Sequence, residues 1–251
     1  MKTIKKSVAE SSFGSLLGNA QQLRVHLLSF KDYKPPFPEQ SPDQFGRLLT
    51  ALATLNEDAA TLAQTYSISV ESRQNLFYKG PNSITKLATG IAATVRARYG
   101  KQSKQFADIS RIAAKIKGGG TKKATGTTPV DTEAQPATAT PPVTVPRVVS
   151  QSERGYGSLT KHFSDLVAAL ASFGDDFKPA NGITVTEMTK IHDQMITANN
   201  NVTAAYGALR QGRIDRAEMY ATLKNTVREI KDAVRTQYGN SSNQYTLIKS
   251  I

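Results

Sequence analysis

The clearest chemical feature of this chain is a cluster of basic side chains near its middle. Residues 96–123 contain nine lysines and arginines and a single acid, Asp108. Such a cluster can neutralise the phosphates of a nucleic acid and release counterions, which gives salt-sensitive binding without reading base sequence. The candidate anion-binding residues are Arg96, Arg98, Lys101, Lys104, Arg111, Lys115, Lys117, Lys122 and Lys123.

A second interpretation of the same charges stays open at this point. Lys104, Arg111 and Lys115 are spaced i, i+7 and i+11, which places them on one face of a helix. A solvated basic face also complements the carbonyl end of a helix dipole, with no ligand involved. The cluster's aromatic residues, Tyr99 and Phe106, are expected in the core, so base stacking is not indicated.

Catalytic or metal-binding patterns do not stand out in the sequence. None of the three histidines, His26, His162 and His192, pairs with a glutamate at the i, i+3 spacing of di-iron bundle sites. The chain has no GxSxG motif, and the GGG at 118–120 lacks the GK[ST] continuation of a phosphate-binding loop. We therefore expect neither enzymatic activity nor a metal or other cofactor.

The chain contains one phrase twice. RYGKQSKQFADISRI at 98–112 matches QYGNSSNQYTLIKSI at 237–251, and earlier in the chain FGSL at 13–16 matches YGSL at 156–159. Because the matching signals follow the same order, the sequence predicts a tandem duplication. The offset in residue number is smaller for the later match than for the earlier one. This change indicates a net deletion in the second copy, between its second and third helices.

The repeated phrase predicts a helical corner. The glycine suits the end of one helix, and the serine three residues later can cap the next helix. The aromatic residue and the isoleucines that follow would dock that helix on the core. The motif consists of Tyr99, Gly100, Ser103 and Phe106 in the first copy and Tyr238, Gly239, Ser242 and Tyr245 in the second.

Apolar periodicity indicates the helices that lead to each corner. One stripe runs from Leu16 to Phe30, and its counterpart runs from Leu159 to Phe173. A proline-containing loop separates each from a second helix, capped by Ser41 or Asp43 in the first copy and by Thr184 or Thr186 in the second. Turns are then expected at 67–82 and around Gln211–Gly212. The predicted fold is all-α, a tandem duplication of a four-helix up-and-down bundle.

Composition divides the chain into four parts. A basic tail at 1–11 precedes repeat 1, a bundle module at 12–117. A flexible linker rich in Pro, Thr and Ala at 118–152 joins it to repeat 2, a second module at 153–251. Residues 1–117 carry a net charge of +9, against +2 for residues 153–251. The absence of cysteine fits the reducing cytoplasm, and no apolar run suggests a membrane span.

The predicted function is non-enzymatic binding or assembly. Two helical modules on one chain can engage a protein partner, or further copies of the chain as a homo-oligomer, with raised effective concentration. The alternative is binding of the nucleic-acid phosphate backbone through the basic face of repeat 1.

Overall fold

The computed structural model describes residues 8–118, 155–174 and 182–251, and those residues form helices and connecting turns without a β-strand. The all-α prediction is thereby confirmed. The helices are α1 (Val8–Ser29), α2 (Pro42–Gln74), α3 (Ile84–Tyr99), α4 (Lys104–Lys117), α5 (Tyr156–Ala171), α6 (Val185–Tyr238) and α7 (Asn243–Ile248).

The break between α2 and α3 is shorter than the turn predicted at 67–82. Helix α2 continues to Gln74 and passes into a π-helical turn, Asn75–Lys79. Residues 67–79 contain neither glycine nor proline, so nothing in them stops the helix. The chain leaves the helix at Gly80 and Pro81, and only residues 80–83 separate the π-helical turn from α3.

The turn predicted around Gln211–Gly212 is wrong. Helix α6 is continuous over 54 residues, Val185–Tyr238. A lone glycine costs a helix only about 1 kcal/mol, and no proline accompanies Gly212. Repeat 2 therefore contains three helices, α5, α6 and α7, and the tandem four-helix arrangement is not confirmed.

The chain forms two compact units, and each takes residues from both repeats. Unit 1 comprises Met1–Ile68 and Ala204–Ile251, and unit 2 comprises Ser69–Thr203. These boundaries differ from the predicted modules at 12–117 and 153–251. The predicted linker lies outside the described residues apart from Gly118, and α1 already includes residues 8–11 of the predicted tail.

Unit 1 is built from α1, the first part of α2, the second part of α6, and α7. Its core combines the predicted stripe of α1 with apolar residues of α2 and α6. Leu23 of α1, Phe45 of α2 and Ile230 of α6 are all fully buried in one cluster, together with Ile248 of α7. The core thus joins apolar faces from opposite ends of the sequence.

Unit 2 is built from the end of α2, the π-helical turn, α3, α4, α5 and the first part of α6. Phe77 of the π-helical turn, Ile91 of α3 and Ile109 of α4 are fully buried against Phe163 of α5 and Met195 of α6. Helix α4 packs against both α3 and α5. The side of α4 that faces away from both helices is exposed to solvent.

Candidate nucleic-acid interface

The corner between α3 and α4 carries four of the nine candidate residues, and three more lie further along α4. Gly100 ends α3 with a φ of 87°, which favours glycine, and its N–H donates to the carbonyl of Arg96 at 3.0 Å. The Ser103 hydroxyl accepts a hydrogen bond from the backbone N–H of Phe106 at 3.1 Å and donates one to the carbonyl of Gly100 at 2.8 Å. Ser103 is therefore the N-cap of α4.

The corner between α6 and α7 has the same local structure. Gly239 has a φ of 94°, and its N–H donates to the carbonyl of Arg235 at 2.9 Å. Ser242 accepts from the N–H of Tyr245 at 3.1 Å and donates to the carbonyl of Gly239 at 2.8 Å. The repeated phrase thus forms a stop, a turn and a restart at both places.

The aromatic residues of the motif face the cores. The Tyr99 ring packs edge-on against Phe173 at 5.4 Å, and the Tyr238 ring packs against Phe30 at 6.0 Å. Phe106 and Tyr245 are half-buried. These rings stabilise the corners and leave no flat aromatic platform for a base to stack on.

Seven candidate cations, from the last turn of α3 to the end of α4, are exposed to solvent. We call this surface the basic corner, and it comprises the exposed residues Arg96, Arg98, Lys101, Lys104, Arg111, Lys115 and Lys117. Lys122 and Lys123 lie outside the described residues. Asp108 contributes a nearby carboxylate, 3.5 Å from the Arg111 guanidinium. The Arg98 guanidinium lies 5.7 Å from the ring centre of Tyr99.

The corresponding surface of the α6–α7 corner carries fewer cations. Asn240 and Asn243 occupy the positions of Lys101 and Lys104. Arg235, at the position of Arg96, is held 3.0 Å from Asp232. Gln237, at the position of Arg98, accepts a hydrogen bond from the backbone N–H of Lys34 at 3.0 Å.

The charge difference extends beyond the corners. The described part of unit 2 contains twelve lysines and arginines and five acids, whereas that of unit 1 contains twelve and ten. Ten of the twelve cations of unit 2 lie between residues 69 and 118, where the only acids are Glu71 and Asp108. Three of them, Arg73, Lys79 and Lys86, precede the stretch predicted from the sequence, which begins at residue 96. The local density of cations is lower there, so the sequence alone gave little reason to include them.

Other chemistry is weakly represented. His162 lies 3.9 Å from Asp165 and His192 lies 3.7 Å from Asp193, and both aspartates are exposed. Within residues 8–118, 155–174 and 182–251, no three His, Cys, Asp or Glu side chains are arranged to hold a metal ion. The helices of the same segments include none with the length and hydropathy that a membrane crossing requires.

An open groove of about 550 Å³ lies in unit 1 between the loop after α1 and the end of α6. Its lining includes Gln40, which is 4% exposed and whose side-chain oxygen has no hydrogen-bond partner. Burial, with the nearby Tyr238 as a smaller cause, raises the pKa of neighbouring Tyr33 to about 12. The Tyr33 hydroxyl therefore stays neutral at physiological pH.

Comparison with known proteins does not assign the chain to a class. No protein family, curated protein or solved structure matches it significantly.

Proposed function

We propose that this protein is a non-enzymatic binding protein whose basic corner in unit 2 binds the phosphate backbone of a nucleic acid. One observation carries the proposal. All seven described cations of the basic corner are exposed, whereas at four of the matching positions the corner in unit 1 keeps one cation, Arg235, and has uncharged side chains at the other three. The corner structure therefore does not require the charges.

The chemistry of the surface favours backbone binding over sequence reading. Lysine and arginine neutralise phosphates one by one, and each contact makes the binding constant fall more steeply with salt. The nearest aromatic residues, Tyr99 and Phe106, are half-buried in the packing of the corner. We expect duplex DNA, duplex RNA and single strands to bind with little sequence preference.

The test exchanges the charges of one corner for the residues of the other. The triple variant Arg98→Gln, Lys101→Asn and Lys104→Asn copies Gln237, Asn240 and Asn243. Fluorescence anisotropy with labelled duplex DNA and RNA should show at least a tenfold loss of affinity near physiological salt. Three lost phosphate contacts should also reduce the slope of log K against log salt by roughly 2 to 3 units.

A matched control removes three charges elsewhere. The variant Lys224→Asn, Arg228→Gln and Lys249→Asn changes exposed residues of unit 1 and has the same net charge as the corner variant. It should bind nearly as tightly as the unmodified chain. Equal losses of affinity in both variants would show that binding depends on net charge and not on the basic corner. The proposal is also contradicted if the unmodified chain does not bind near physiological salt.

A second candidate function is assembly with a protein partner, and exposed apolar residues on α1 favour it. Val25 and Leu28 lie one turn apart and are 65% and 58% exposed. A partner protein or a further copy of the chain could cover them. The proposed setting is the cytoplasm, because a chain without cysteine suits a reducing compartment. The variant Val25→Lys with Leu28→Lys should abolish concentration-dependent growth in mass measured by light scattering.

We also propose that the two repeats arose by duplication. The offset in residue number is the same for Ser41 and Thr184, which both cap a second helix, as it is for matching side chains in α1 and α5. It is unchanged from Phe77 to Tyr220 and is smaller by four from Ile84 to Leu223. The difference coincides with residues 80–83, where α2 and α3 are separated and α6 is continuous.

A further inference from the structure

Each unit of this protein contains the first helices of one repeat and the last helices of the other. Unit 1 joins α1 and the first part of α2, from repeat 1, to the second part of α6 and α7, from repeat 2. Unit 2 joins the end of α2, the π-helical turn, α3 and α4, from repeat 1, to α5 and the first part of α6, from repeat 2. Neither repeat builds a core from its own residues alone.

The contacts between the repeats are matched near the start of the first helix. In unit 1, Phe13 stacks on Tyr220 at 4.2 Å, and the Arg216 guanidinium lies 5.1 Å from the Phe13 ring centre. In unit 2, Tyr156 meets Phe77 edge-on at 5.0 Å. The Arg73 guanidinium lies 3.8 Å from the Tyr156 ring centre. The counterpart of Phe13 in the other repeat is Tyr156, that of Tyr220 is Phe77, and that of Arg216 is Arg73. The offset in residue number has the same size for all three pairs.

The contacts are matched again at the other end of that helix. Phe30 of repeat 1 meets Tyr238 of repeat 2, and Phe173 of repeat 2 meets Tyr99 of repeat 1. Both are edge-on ring contacts, with centres 6.0 Å and 5.4 Å apart. Repeat 1 therefore carries both partners of this contact, Phe30 and Tyr99, and repeat 2 carries both partners as well, Phe173 and Tyr238.

We infer that each repeat is a self-complementary half, and that the partner its apolar faces fit is another repeat of the same kind, including one supplied by a second copy of this chain. The inference rests on the duplication proposed above and is independent of nucleic-acid binding. Within one chain the second repeat is favoured by its high effective concentration. Between chains, the same faces allow exchange of repeats and therefore assembly.

Charge sets the order of preference among the pairs. Residues 1–117 carry a net charge of +9 and residues 153–251 carry +2. Two copies of repeat 1 therefore repel each other more than repeat 1 repels repeat 2. Added salt screens this repulsion, so it should increase pairing of repeat 1 with itself.

The test uses the full chain with a protease site inserted within residues 119–154. After cleavage, native mass spectrometry and size-exclusion chromatography should show both halves still joined as one species. After unfolding in urea and refolding, three pairs should form: the mixed pair in excess, together with pairs of two N-terminal halves and of two C-terminal halves. The fraction of N-terminal pairs should rise between low salt and about 0.5 M salt, where charge repulsion is screened.

A substitution sharpens the outcome. Tyr220→Ala removes a fully buried ring that repeat 2 supplies to unit 1. It should weaken the mixed pair and the C-terminal pair, so that the share of N-terminal pairs increases at least twofold. The inference is overturned if the cleaved halves separate as folded monomers, or if the mixed pair alone forms at every salt concentration. Because nucleic-acid binding is measured on the uncleaved chain, a failure there is distinguishable from a failure here.

Discussion

The corners α3–α4 and α6–α7 have nearly the same backbone and different surfaces. Ser103 and Ser242 make the same two hydrogen bonds, at 2.8 Å and 3.1 Å in both corners. Yet Lys101 and Lys104 in one corner face solvent where Asn240 and Asn243 stand in the other. The comparison shows that the fold of the corner requires the glycine, the serine and the buried side chains, but does not require the charges around them.

The largest expected effect comes from the buried isoleucines of the two helices that lead into these corners. Ile91 of α3 is 1% exposed and Ile230 of α6 is 0% exposed, and they belong to different cores. Ile91→Ala and Ile230→Ala should each lower the free energy of unfolding by about 2–5 kcal/mol, because each leaves a cavity in a packed core. Urea unfolding followed by circular dichroism measures the loss.

The control for this pair is Ile196→Ala. Ile196 lies on α6 and is 42% exposed, so its truncation should cost less than about 1 kcal/mol. A loss below about 1 kcal/mol for either buried isoleucine would show that its unit is not a tightly packed core, and the parallel between the two units would fail.

The corner glycines should give the next largest effect. Gly100 and Gly239 have positive φ values, where an added Cβ strains the backbone. Gly100→Ala and Gly239→Ala should each cost about 1–3 kcal/mol of unfolding free energy. The control Gly14→Ala, in the interior of α1 with open space around it, should instead stabilise by up to about 1 kcal/mol. If alanine leaves the unfolding free energy unchanged at only one of the two corners, the corners differ in their backbone requirement.

The individual helices and caps of this fold are more predictable from sequence than the pairing of the helices. The apolar stripe from Leu159 to Phe173, the glycine stops and the serine caps depend on neighbours within a few residues, and the sequence shows those neighbours directly. The turn predicted at Gln211–Gly212 is wrong because a lone glycine is not a sufficient stop. Helix α6 continues there, since its packing outweighs a local cost of about 1 kcal/mol.

The pairing of the helices is not predictable in the same way. Two repeats with matching faces can each fold on themselves or complete each other, and the apolar pattern is the same in both cases. The pairs Phe30–Tyr238 and Tyr99–Phe173 come into contact only in the second arrangement. The basic corner is not predictable from sequence for the same reason, because the exposure of Lys104 depends on which helices cover the corner.

The serine caps should have a smaller effect than the glycines. Ser103→Ala and Ser242→Ala each leave one backbone N–H of the following helix without its acceptor, which costs about 0.5–2 kcal/mol. Hydrogen exchange at residues 106–109 and 245–248 should accelerate in the respective variants. Ser29→Ala is the control, because the Ser29 hydroxyl donates to the carbonyl of His26 and caps no helix start. Aspartate at 103 should restore protection, and failure to do so would exclude a capping role.

The smallest expected effect distinguishes the starts of α2 and α6. Thr184 and Glu187 form a capping box: the Thr184 N–H donates to the Glu187 carboxylate at 2.7 Å, and the Thr184 hydroxyl accepts from the Glu187 N–H at 3.2 Å. The N–H and hydroxyl of Thr184 lower the pKa of Glu187 below the ordinary value of 4.5. At the start of α2 the Gln44 N–H also donates to the serine hydroxyl, at 3.3 Å, but the Ser41 N–H donates to the carbonyl of Pro38, so the Gln44 side chain has no role equivalent to that of the Glu187 carboxylate.

A lowered pKa in the folded state means that Glu187 stabilises unit 2 above its unfolded-state pKa. This contribution is lost as the pH falls from about 4.5 through the lower folded-state value. The urea midpoint of the chain should therefore fall slightly less with acidification in Glu187→Gln than in the unmodified protein. Gln44→Glu is the mirror variant, and it should add little pH dependence, because Pro38 already accepts the hydrogen bond of Ser41. Equal acid sensitivity in the unmodified protein and in Glu187→Gln would show that the capping box of α6 does not persist in solution.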